Sequence, residues 1–163
     1  MNSITIKPAN TKSELEECFR LREEVFIIEQ NVPVDLERDE HDATALHFLA
    51  LVDGKPVGTA RVVLKDNGTV AKIQRVAVRR SKRGMGIGKR LIAAIEEAPV
   101  LDGVDHFLLE AQTHALRFYA RMGYHAYGEE FMDAGIRHFR MKKRNLRVVQ
   151  KSRLMLVKKV LDP

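Results

Sequence analysis

The sequence lacks the features that are typical of secreted and membrane proteins, namely paired cysteines, a signal peptide and long apolar runs. Its 163 residues include a single cysteine, Cys18, so no disulfide can form within the chain, and this usage suits a reducing compartment. No apolar run approaches the roughly 20 residues that a helix needs to cross a bilayer, and the polar N-terminus carries no signal-peptide pattern. We therefore expect a cytoplasmic protein with no membrane partner, in which Cys18 is a buried packing residue.

The basic residues are concentrated at one end of the chain. The formal net charge is +6, with 45% hydrophobic and 31% charged residues, a composition typical of one globular domain. Residues 142–163 hold eight basic residues and one acid, whereas residues 1–141 hold 20 basic and 21 acidic ones. A nucleic-acid-binding hypothesis therefore depends on the C-terminal segment alone. No helix-turn-helix pattern or aromatic-rich RNA-binding strand supports it, so we expect no nucleic-acid partner.

Hydrophobic periodicity and turn residues predict the order β-α-β-β-β-α-β-α-β-β, which indicates a mixed sheet covered by helices. A capping-box pattern at Thr11 and Glu14 predicts a helix that continues to about Ile28. Thr113 is the expected N-cap of the last helix of this order. The apolar residues beyond position 145 recur at helical spacing, yet 154–157 could equally form a strand. The predicted strands are 4–6, 45–52, 57–63, 70–78, 107–109, 124–127 and 136–141.

A glycine-rich segment follows the apolar strand that ends at Val78. After a short basic loop come three alternate glycines and then a predicted helix over 87–97. Glycines let the backbone approach a ligand closely, and a helix start presents free N–H groups and the positive end of its dipole. This combination predicts an anion site, most often for phosphate. The alternative is a tight strand-to-helix turn with no ligand.

The spacing within this segment separates three phosphate-binding motifs. A P-loop requires Ser or Thr after its lysine, but Arg90 follows Lys89. The dinucleotide fingerprint is G-x-G-x-x-G, whereas the glycines here alternate with single residues. The segment instead matches R-x-x-G-x-G at Arg83, Gly86 and Gly88. In this respect the chain resembles the GCN5-related N-acetyltransferase (GNAT) superfamily, whose members wrap the pyrophosphate of acetyl-CoA in this loop.

A second segment strengthens the resemblance. Residues 115–124, ALRFYARMGY, match the superfamily pattern A-x-x-F-Y-x-x-x-G-[FY]. Residues 25–30, 128–131 and 135–138 are similar to a bacterial branch, the ElaA/YjcF-like acetyltransferases. The resemblance covers roughly residues 3–142. It implies a single α/β (α+β) domain with a mixed, mostly antiparallel sheet flanked by helices, in which two parallel central strands splay apart.

The resemblance also implies the site. Acetyl-CoA would bind between the splayed strands as a co-substrate, with no metal. Tyr119 occupies the position of the family tyrosine that donates a proton to the CoA sulfur; the alternative is a core tyrosine whose hydroxyl is bonded elsewhere. The implied cofactor-binding residues are Val76, Ala77 and Val78 along the pantetheine arm, Arg83, Gly84, Met85, Gly86, Ile87, Gly88 and Lys89 around the pyrophosphate, and Gln112 facing the arm.

The sequence does not decide which residue acts as the general base. Many relatives carry a glutamate on the strand before the glycine loop, where this chain has Gln74. A glutamine cannot accept the proton, although it can order a water. Glu29, Glu110, His114 and Glu130 are candidate bases, and each could equally be a surface charge or a structural hydrogen-bonding group. A reaction without a base also stays open, if the pKa of the acceptor amine is low.

Six acids and one arginine occupy residues 29–42, the segment that the resemblance places at the acceptor entrance. An acidic rim there would attract a cationic amine; a solvated charged loop is the alternative. His41, His47 and His138 could also reach the cavity, but their spacing makes a poor metal site. The acids are Glu29, Asp35, Glu37, Asp39, Glu40 and Asp42.

The sequence thus predicts an acetyl-CoA-dependent N-acetyltransferase that moves an acetyl group to a primary amine of a small molecule or peptide, directly within a ternary complex. Two alternatives remain: a non-catalytic acyl-CoA-binding or regulatory protein, which Gln74 favours, and a nucleic-acid-associated protein that binds through its basic tail. Residues 1–142 would form the acetyltransferase domain. Residues 143–163 would be a basic extension packed on the domain or on a partner subunit, and its apolar residues would suit a homodimer.

Overall fold

Seven strands form one mixed sheet with helices on both faces. The computed structural model describes residues 1–161. The strands are β1 (Ile4–Pro8), β2 (Leu46–Val52), β3 (Lys55–Lys65), β4 (Val70–Val78), β5 (His106–Gln112), β6 (His125–Asp133) and β7 (Ile136–Arg144), and the α-helices are α1 (Lys12–Arg22), α2 (Val34–Glu37), α3 (Ile87–Glu97), α4 (Leu116–Ala120) and α5 (Leu146–Leu161).

The sheet has the strand order β1-β2-β3-β4-β5-β7-β6, and its only parallel pair among the described strands is β4 with β5. That pair is short: Val70–Ile73 lie opposite His106–Leu109, and the pairing stops there. Beyond this point β4 remains paired with β3, and β5 with β7. The two central strands therefore diverge and leave a gap in the sheet. The predicted fold class, including the splayed parallel strands, is confirmed.

Each face of the sheet has its own apolar layer. The amphipathic helix α3 buries Leu91, Ile92 and Ile95 against one face. On the opposite face, α1 packs Cys18 and Leu21 in a smaller cluster with β2. Cys18 is fully buried, as the sequence predicts, and burial raises the pKa of its thiol. Truncating one of these buried leucines to alanine would cost about 2–5 kcal/mol of unfolding free energy.

The local helix predictions have mixed outcomes. The capping box is confirmed: the Glu14 backbone N–H donates to the Thr11 hydroxyl over 3.2 Å, and the Thr11 N–H donates to the Glu14 carboxylate over 3.1 Å. The helix that follows is not uniform, because α1 ends at Arg22 and a π-helical turn takes over from Glu23 to Glu29. The predicted cap at Thr113 is wrong. Ala115 precedes α4, and the Thr113 hydroxyl instead donates to the carboxylate of Glu130.

The C-terminal segment is helical, which decides between the two alternatives for residues 154–157. Its start is joined to the domain: the Asn145 amide donates to the Val104 carbonyl over 2.7 Å, and Arg147 pairs with Asp102. From residue 150 to 161 every side chain is exposed. None of the helices described in residues 1–161 is long and apolar enough to span a membrane.

Candidate active site

A cavity of about 740 Å³ opens where β4 and β5 separate. Its wall is built from the end of β4, the glycine loop, the start of α3, the end of β5 and α4, and the turn between β6 and β7 closes one side. All the predicted cofactor residues except Met85 line it, and so does Tyr119; Met85 packs against the core instead. The predicted residues in the wall are Val76, Ala77, Val78, Arg83, Gly84, Gly86, Ile87, Gly88, Lys89, Gln112 and Tyr119.

The glycine loop presents a row of free backbone donors to this cavity. Between Gly84 and Lys89 no backbone N–H donates to a described residue, and the first bonded N–H of the helix is that of Arg90, which donates to the Gly86 carbonyl. Gly86 has a φ of 77°, a left-handed conformation that favours glycine. A Cβ at Gly88 would lie 3.3 Å from the Phe118 ring. The residues present therefore fit an anionic ligand such as a diphosphate.

Two arginines connect this loop to the π-helical turn across the cavity mouth. The Arg83 guanidinium donates to both carboxylate oxygens of Glu29, over 2.5 and 2.7 Å, and its Nε donates to the Val78 carbonyl. Arg79 donates to Glu24 over 3.1 Å. The hydrogen bond from Arg83 lowers the pKa of Glu29. Glu29 is thus an ion-pair partner, which makes it a weak proton acceptor.

A β-bulge shapes the free edge of β4. The register with β3 shifts between the pairs formed by Gln74 and Ala77, and Arg75 takes a φ of 54°, a left-handed conformation that costs a side-chain-bearing residue about 1–2 kcal/mol. The shift turns the Arg75 guanidinium to the carbonyls of Leu36 and Glu37, 3.2 and 3.1 Å away. The bulge thereby ties the gap in the sheet to the segment around α2.

The hydroxyl of Tyr119 is not bonded to any described residue, although its side chain is only 9% exposed. The ring is wedged edge-on between Phe118 and Tyr124. Burial raises the pKa of Tyr119 to about 12, so the hydroxyl keeps its proton at neutral pH. The neighbouring Tyr124 instead donates its hydroxyl proton to Glu96 over 2.8 Å. A hydroxyl bonded in this way is what the alternative interpretation expects of Tyr119.

The segment expected to form an acidic rim is neutralised instead. Arg61 donates to Asp39 over 2.6 Å, to Asp42 over 2.8 Å and to the Gln74 side chain over 2.8 Å. Arg22 donates to Glu37 and Asp42, both over 2.6 Å. With Glu29 held by Arg83, four of the six acids pair with arginines. These four acids therefore do not form the acidic rim that was one of the two alternatives for this segment, since arginines distant in sequence supply the counter-charge.

The remaining candidate bases differ in whether they line the cavity and whether a charged partner lies close to them. Glu110 lines the cavity but pairs with Lys72 over 2.9 Å. Glu130 is not part of the described cavity wall and lies 3.7 Å from Arg137. His114 lines the cavity and is exposed. Among residues 1–161 no three His, Cys, Asp or Glu side chains are grouped to hold a metal, and His47 bonds the Asp42 carbonyl.

Three arginines that the structure brings to the cavity or its border were not predicted from the sequence: Arg22, Arg61 and Arg75. They carry no local signal, because their partners lie 13 to 39 residues away in the chain. His138, expected from the sequence as a residue that could reach the cavity, is buried and lines it.

Known proteins resemble both the sequence and the fold. The family model for an acetyltransferase (GNAT) domain matches residues 8–145. An N-acetyltransferase of Bacillus subtilis (strain 168), YjcF, is 40% identical over 136 residues, which are 83% of this chain and 96% of that protein.

Two solved structures share the architecture. An acyl-CoA N-acyltransferase from Pseudomonas aeruginosa is 30% identical with a TM-score of 0.74, and ElaA of Escherichia coli is 26% identical with a TM-score of 0.74; each alignment covers 88% of this chain and 99% of the other. The divergent parallel strands, the glycine loop and the tyrosine motif occur in one domain, and the chain belongs to the GNAT acetyltransferase family as an N-acetyltransferase.

Proposed function

We propose that the chain binds acetyl-CoA in the gap between β4 and β5. The pantetheine arm would pair with the free backbone edge of Val76–Val78, as an added strand does. The pyrophosphate would accept hydrogen bonds from the N–H groups of residues 84–89, with Arg83 and Lys89 adding positive charge. The observation that carries this proposal is the run of free N–H groups at the start of α3 beside an unpaired strand edge.

The acetyl group would pass directly to a primary amine of a small molecule or peptide within a ternary complex. A neutral amine nitrogen attacks the thioester carbonyl, a C–N bond forms, the C–S bond breaks, and the nitrogen releases one proton to solvent as the amide forms. The departing thiolate takes the proton of the Tyr119 hydroxyl, which solvent then replaces. The free hydroxyl of Tyr119 in the cavity wall and its raised pKa support this role.

The proposal also covers the division of the chain, its cellular location and its acyl donor. Residues 1–142 act as the acetyltransferase domain, and residues 143–163 extend it, with their first part, through Arg147, bonded to the domain. The separable part lies beyond Lys151, and its exposed apolar side chains, such as Leu154 and Val157, would suit a homodimer interface. The buried Cys18 as the lone cysteine fits a cytoplasmic location. The acyl-CoA N-acyltransferase from Pseudomonas aeruginosa supports an acyl-CoA donor.

Titration calorimetry with acetyl-CoA tests the binding mode. We expect Arg83→Gln to weaken binding by about 10- to 100-fold, since one hydrogen bond to a charged group contributes about 1.5–3 kcal/mol and the freed Glu29 carboxylate adds repulsion. The matched control is Arg153→Gln on the exposed part of α5, which should bind as the wild type does. Absence of both heat and thermal stabilisation with the wild-type protein at a large excess of acetyl-CoA would overturn the proposal.

A further inference from the structure

We propose that His138 is the general base that takes the proton from the acceptor amine, and that the preferred acceptor is an α-amino group. This inference rests on the proposed acetyl transfer. Gln74 cannot perform this step, and two of the carboxylates that line the cavity, Glu37 and Glu110, are held in ion pairs. The third, Asp133, is exposed at the end of β6. His138 lines the same cavity from β7 and is 8% exposed.

The sheet register places His138 on the same face as Gln74. His138 lies opposite Gln112 on β5, and residues directly opposite one another in an antiparallel pair share a face. Glu110 is two residues before Gln112 and therefore lies on that face too. Its ion pair with Lys72 brings the alternate residues of β4, Lys72 and Gln74, to the same side.

Tyr119 approaches the gap from the opposite face. Ala111 alternates with Gln112 along β5 and belongs to the core layer that contains Leu91 of α3. Tyr119 is part of that same layer. The acceptor amine can thus lose its proton on the face of His138, while the thiolate receives one from the face of Tyr119. The two proton transfers do not compete for one position.

The hydrogen bonding of His138 fixes its tautomer. Its Nδ1 lies 2.7 Å from the carbonyl oxygen of Ile136, which can only accept, so Nδ1 carries the proton and donates. The lone pair is therefore on Nε2, and no described residue is bonded to that atom. Phe131 stacks on the ring at 5.7 Å with an interplanar angle of 26°. The ring is held in place with its basic nitrogen unoccupied, as a general base requires.

Charged and titratable groups lie on the elements that surround this imidazole. On β7 itself, Arg140 lies over the Phe131 ring at 4.4 Å, and Arg137 precedes His138. The adjoining strands and turns add an ion pair, two carboxylates and a second histidine. These are Glu110 with Lys72 between β5 and β4, Glu130 and Asp133 on β6, and His114 after β5.

The proton balance points to the acceptor class. The ammonium group of the acceptor gives one proton to Nε2, the neutral amine then attacks the thioester, and the imidazolium releases that proton to water. The second proton, which the nitrogen loses as the amide forms, goes to solvent. An α-amino group has a pKa of about 8 and an alkylamine such as a lysine side chain about 10.4. For any one base, taking the proton from the α-amine is therefore more favourable by about 250-fold. The neutralised arginine–carboxylate segment adds no attraction for polycations.

The test is the pH dependence of turnover in His138→Asn and His138→Gln, with CoA-thiol release measured for an amino-acid amide as the acceptor. The asparagine amide can replace the Nδ1 donor to the Ile136 carbonyl while removing Nε2, so this variant preserves the local structure. We expect a loss of about 10²- to 10⁴-fold in kcat near neutral pH with unchanged acetyl-CoA affinity. The deficit should shrink as the pH rises towards the pKa of the acceptor. His125→Gln, an exposed histidine on β6, is the matched control and should behave as wild type.

Three outcomes overturn the assignment. They are a deficit that is constant with pH in folded variants, wild-type activity in both His138 variants, and loss of the acidic limb of the profile in His114→Gln alone. A wild-type preference for an alkyl diamine over the amino-acid amide at neutral pH would overturn the acceptor class. Each result is separable from failure of the proposed function, which would show as no turnover of any amine by the wild-type chain.

Discussion

At the scale of single residues, the two proposed proton carriers are prepared in opposite ways. Tyr119 is surrounded by apolar side chains that make its anion costly, so it holds its proton until a stronger base, the thiolate, is created beside it. His138 has its Nδ1 bound to a backbone carbonyl, so Nε2 is the nitrogen left to accept a proton. Tyr119 thus holds a proton to give, and His138 keeps one nitrogen without a bonded partner among the described residues.

Replacement of Tyr119 by phenylalanine should remove the proton donor while keeping the packing. We expect kcat to fall by about 10²-fold or more, with the affinity for acetyl-CoA unchanged, because the ring contacts with Phe118 and Tyr124 remain. Steady-state assays of CoA-thiol release would measure this change in kcat. Tyr127→Phe on β6 is the control. A kcat within twofold of wild type in Tyr119→Phe would show that solvent protonates the thiolate.

The sequence points to Tyr119 and the glycine loop as candidate site residues because each lies in a short contiguous motif. His138 and Arg61 could not be singled out in the same way. Their proposed roles depend on which residues lie opposite or across from them in the folded sheet, such as Gln112 for His138 and Asp39 for Arg61. That information is contained in strand register and loop path, which a single sequence leaves open.

At the scale of elements, the segment around α2 is fixed to the sheet by charge. Asp42 accepts hydrogen bonds from both Arg22 and Arg61, whose side chains are almost completely buried. Burial alone would raise the pKa of Asp42, but the hydrogen bonds from the two arginines outweigh it, and the pKa lies well below its usual value. Gln74 is joined to this cluster through Arg61. The position of Gln74 beside the gap is thereby set by charges some distance from the reaction.

Asp42→Asn should lower the free energy of unfolding by about 3–5 kcal/mol at neutral pH, because it leaves buried arginine charge uncompensated. A depressed carboxyl pKa in the folded state contributes stability above the unfolded pKa of about 3.9, and this contribution is lost as the pH falls towards the folded pKa. The difference in unfolding free energy between the wild type and Asp42→Asn should therefore become smaller below about pH 4. Urea unfolding at several pH values measures it.

Asp35→Asn provides the matched control for this series. Asp35 belongs to the same acidic segment, but its side chain is exposed. Its unfolding free energy should stay within about 0.5 kcal/mol of wild type at every pH. Equal stability of Asp42→Asn and wild type at neutral pH would contradict the structural role of the cluster.

Element boundaries follow from the sequence where a local rule applies. The capping box at Thr11 and the β-hairpin turn at Asp53 and Gly54 are short-range signals, and both occur in the structure. The π-helical turn over 23–29 has no such signal. It directs Glu24 and Glu29 towards the arginines that follow β4, contacts between residues 54 or 55 positions apart. The ion pairs of Glu24 and Glu29 with these arginines coincide with the change from α-helix to π-helix, which local propensity does not predict.

At the scale of the whole molecule, the body and the end of the chain differ in burial. The domain buries two apolar layers, whereas α5 is exposed beyond its first turn. A truncation after Met141 would cut β7, which runs to Arg144 and pairs with β5. Truncation after Lys151 leaves that strand and the Asn145 and Arg147 contacts intact. This second boundary is the one that separates the tail from the fold.

Truncation after Lys151 should leave the domain unchanged. We expect a Tm within about 2 °C of the full chain and the same affinity for acetyl-CoA, because the removed side chains up to residue 161 are exposed. Calorimetric melting and titration measure both, and sedimentation velocity reports whether self-association weakens. A large fall in Tm would contradict a separable extension. A steep, salt-dependent affinity for RNA that disappears on truncation would instead support the nucleic-acid alternative.

The global architecture was within reach of the sequence because element order and two motifs restrict the topology strongly. The predicted order of strands and helices corresponds to the observed one, with longer final strands and two helices outside that order, the short α2 and the C-terminal α5. The register shifts at Arg75 and between Tyr127 and Phe131 were not predictable. Each displaces the strand pairing by one or a few residues. At Arg75 the core-facing positions of β4 change from Ala71 and Ile73 to Val76 and Val78, and this change depends on the pairing with β3.

The gap between β4 and β5 has a further consequence for the choice of substrates. On the proposed binding mode, the thioester enters the gap from the side of the glycine loop, and the amine meets it from the side of His138. Any acyl chain longer than acetyl would extend into the space that the amine occupies. Donor and acceptor therefore draw on one shared volume of about 740 Å³. A bulkier acyl group is accommodated only with a smaller amine, so donor range and acceptor range should vary inversely.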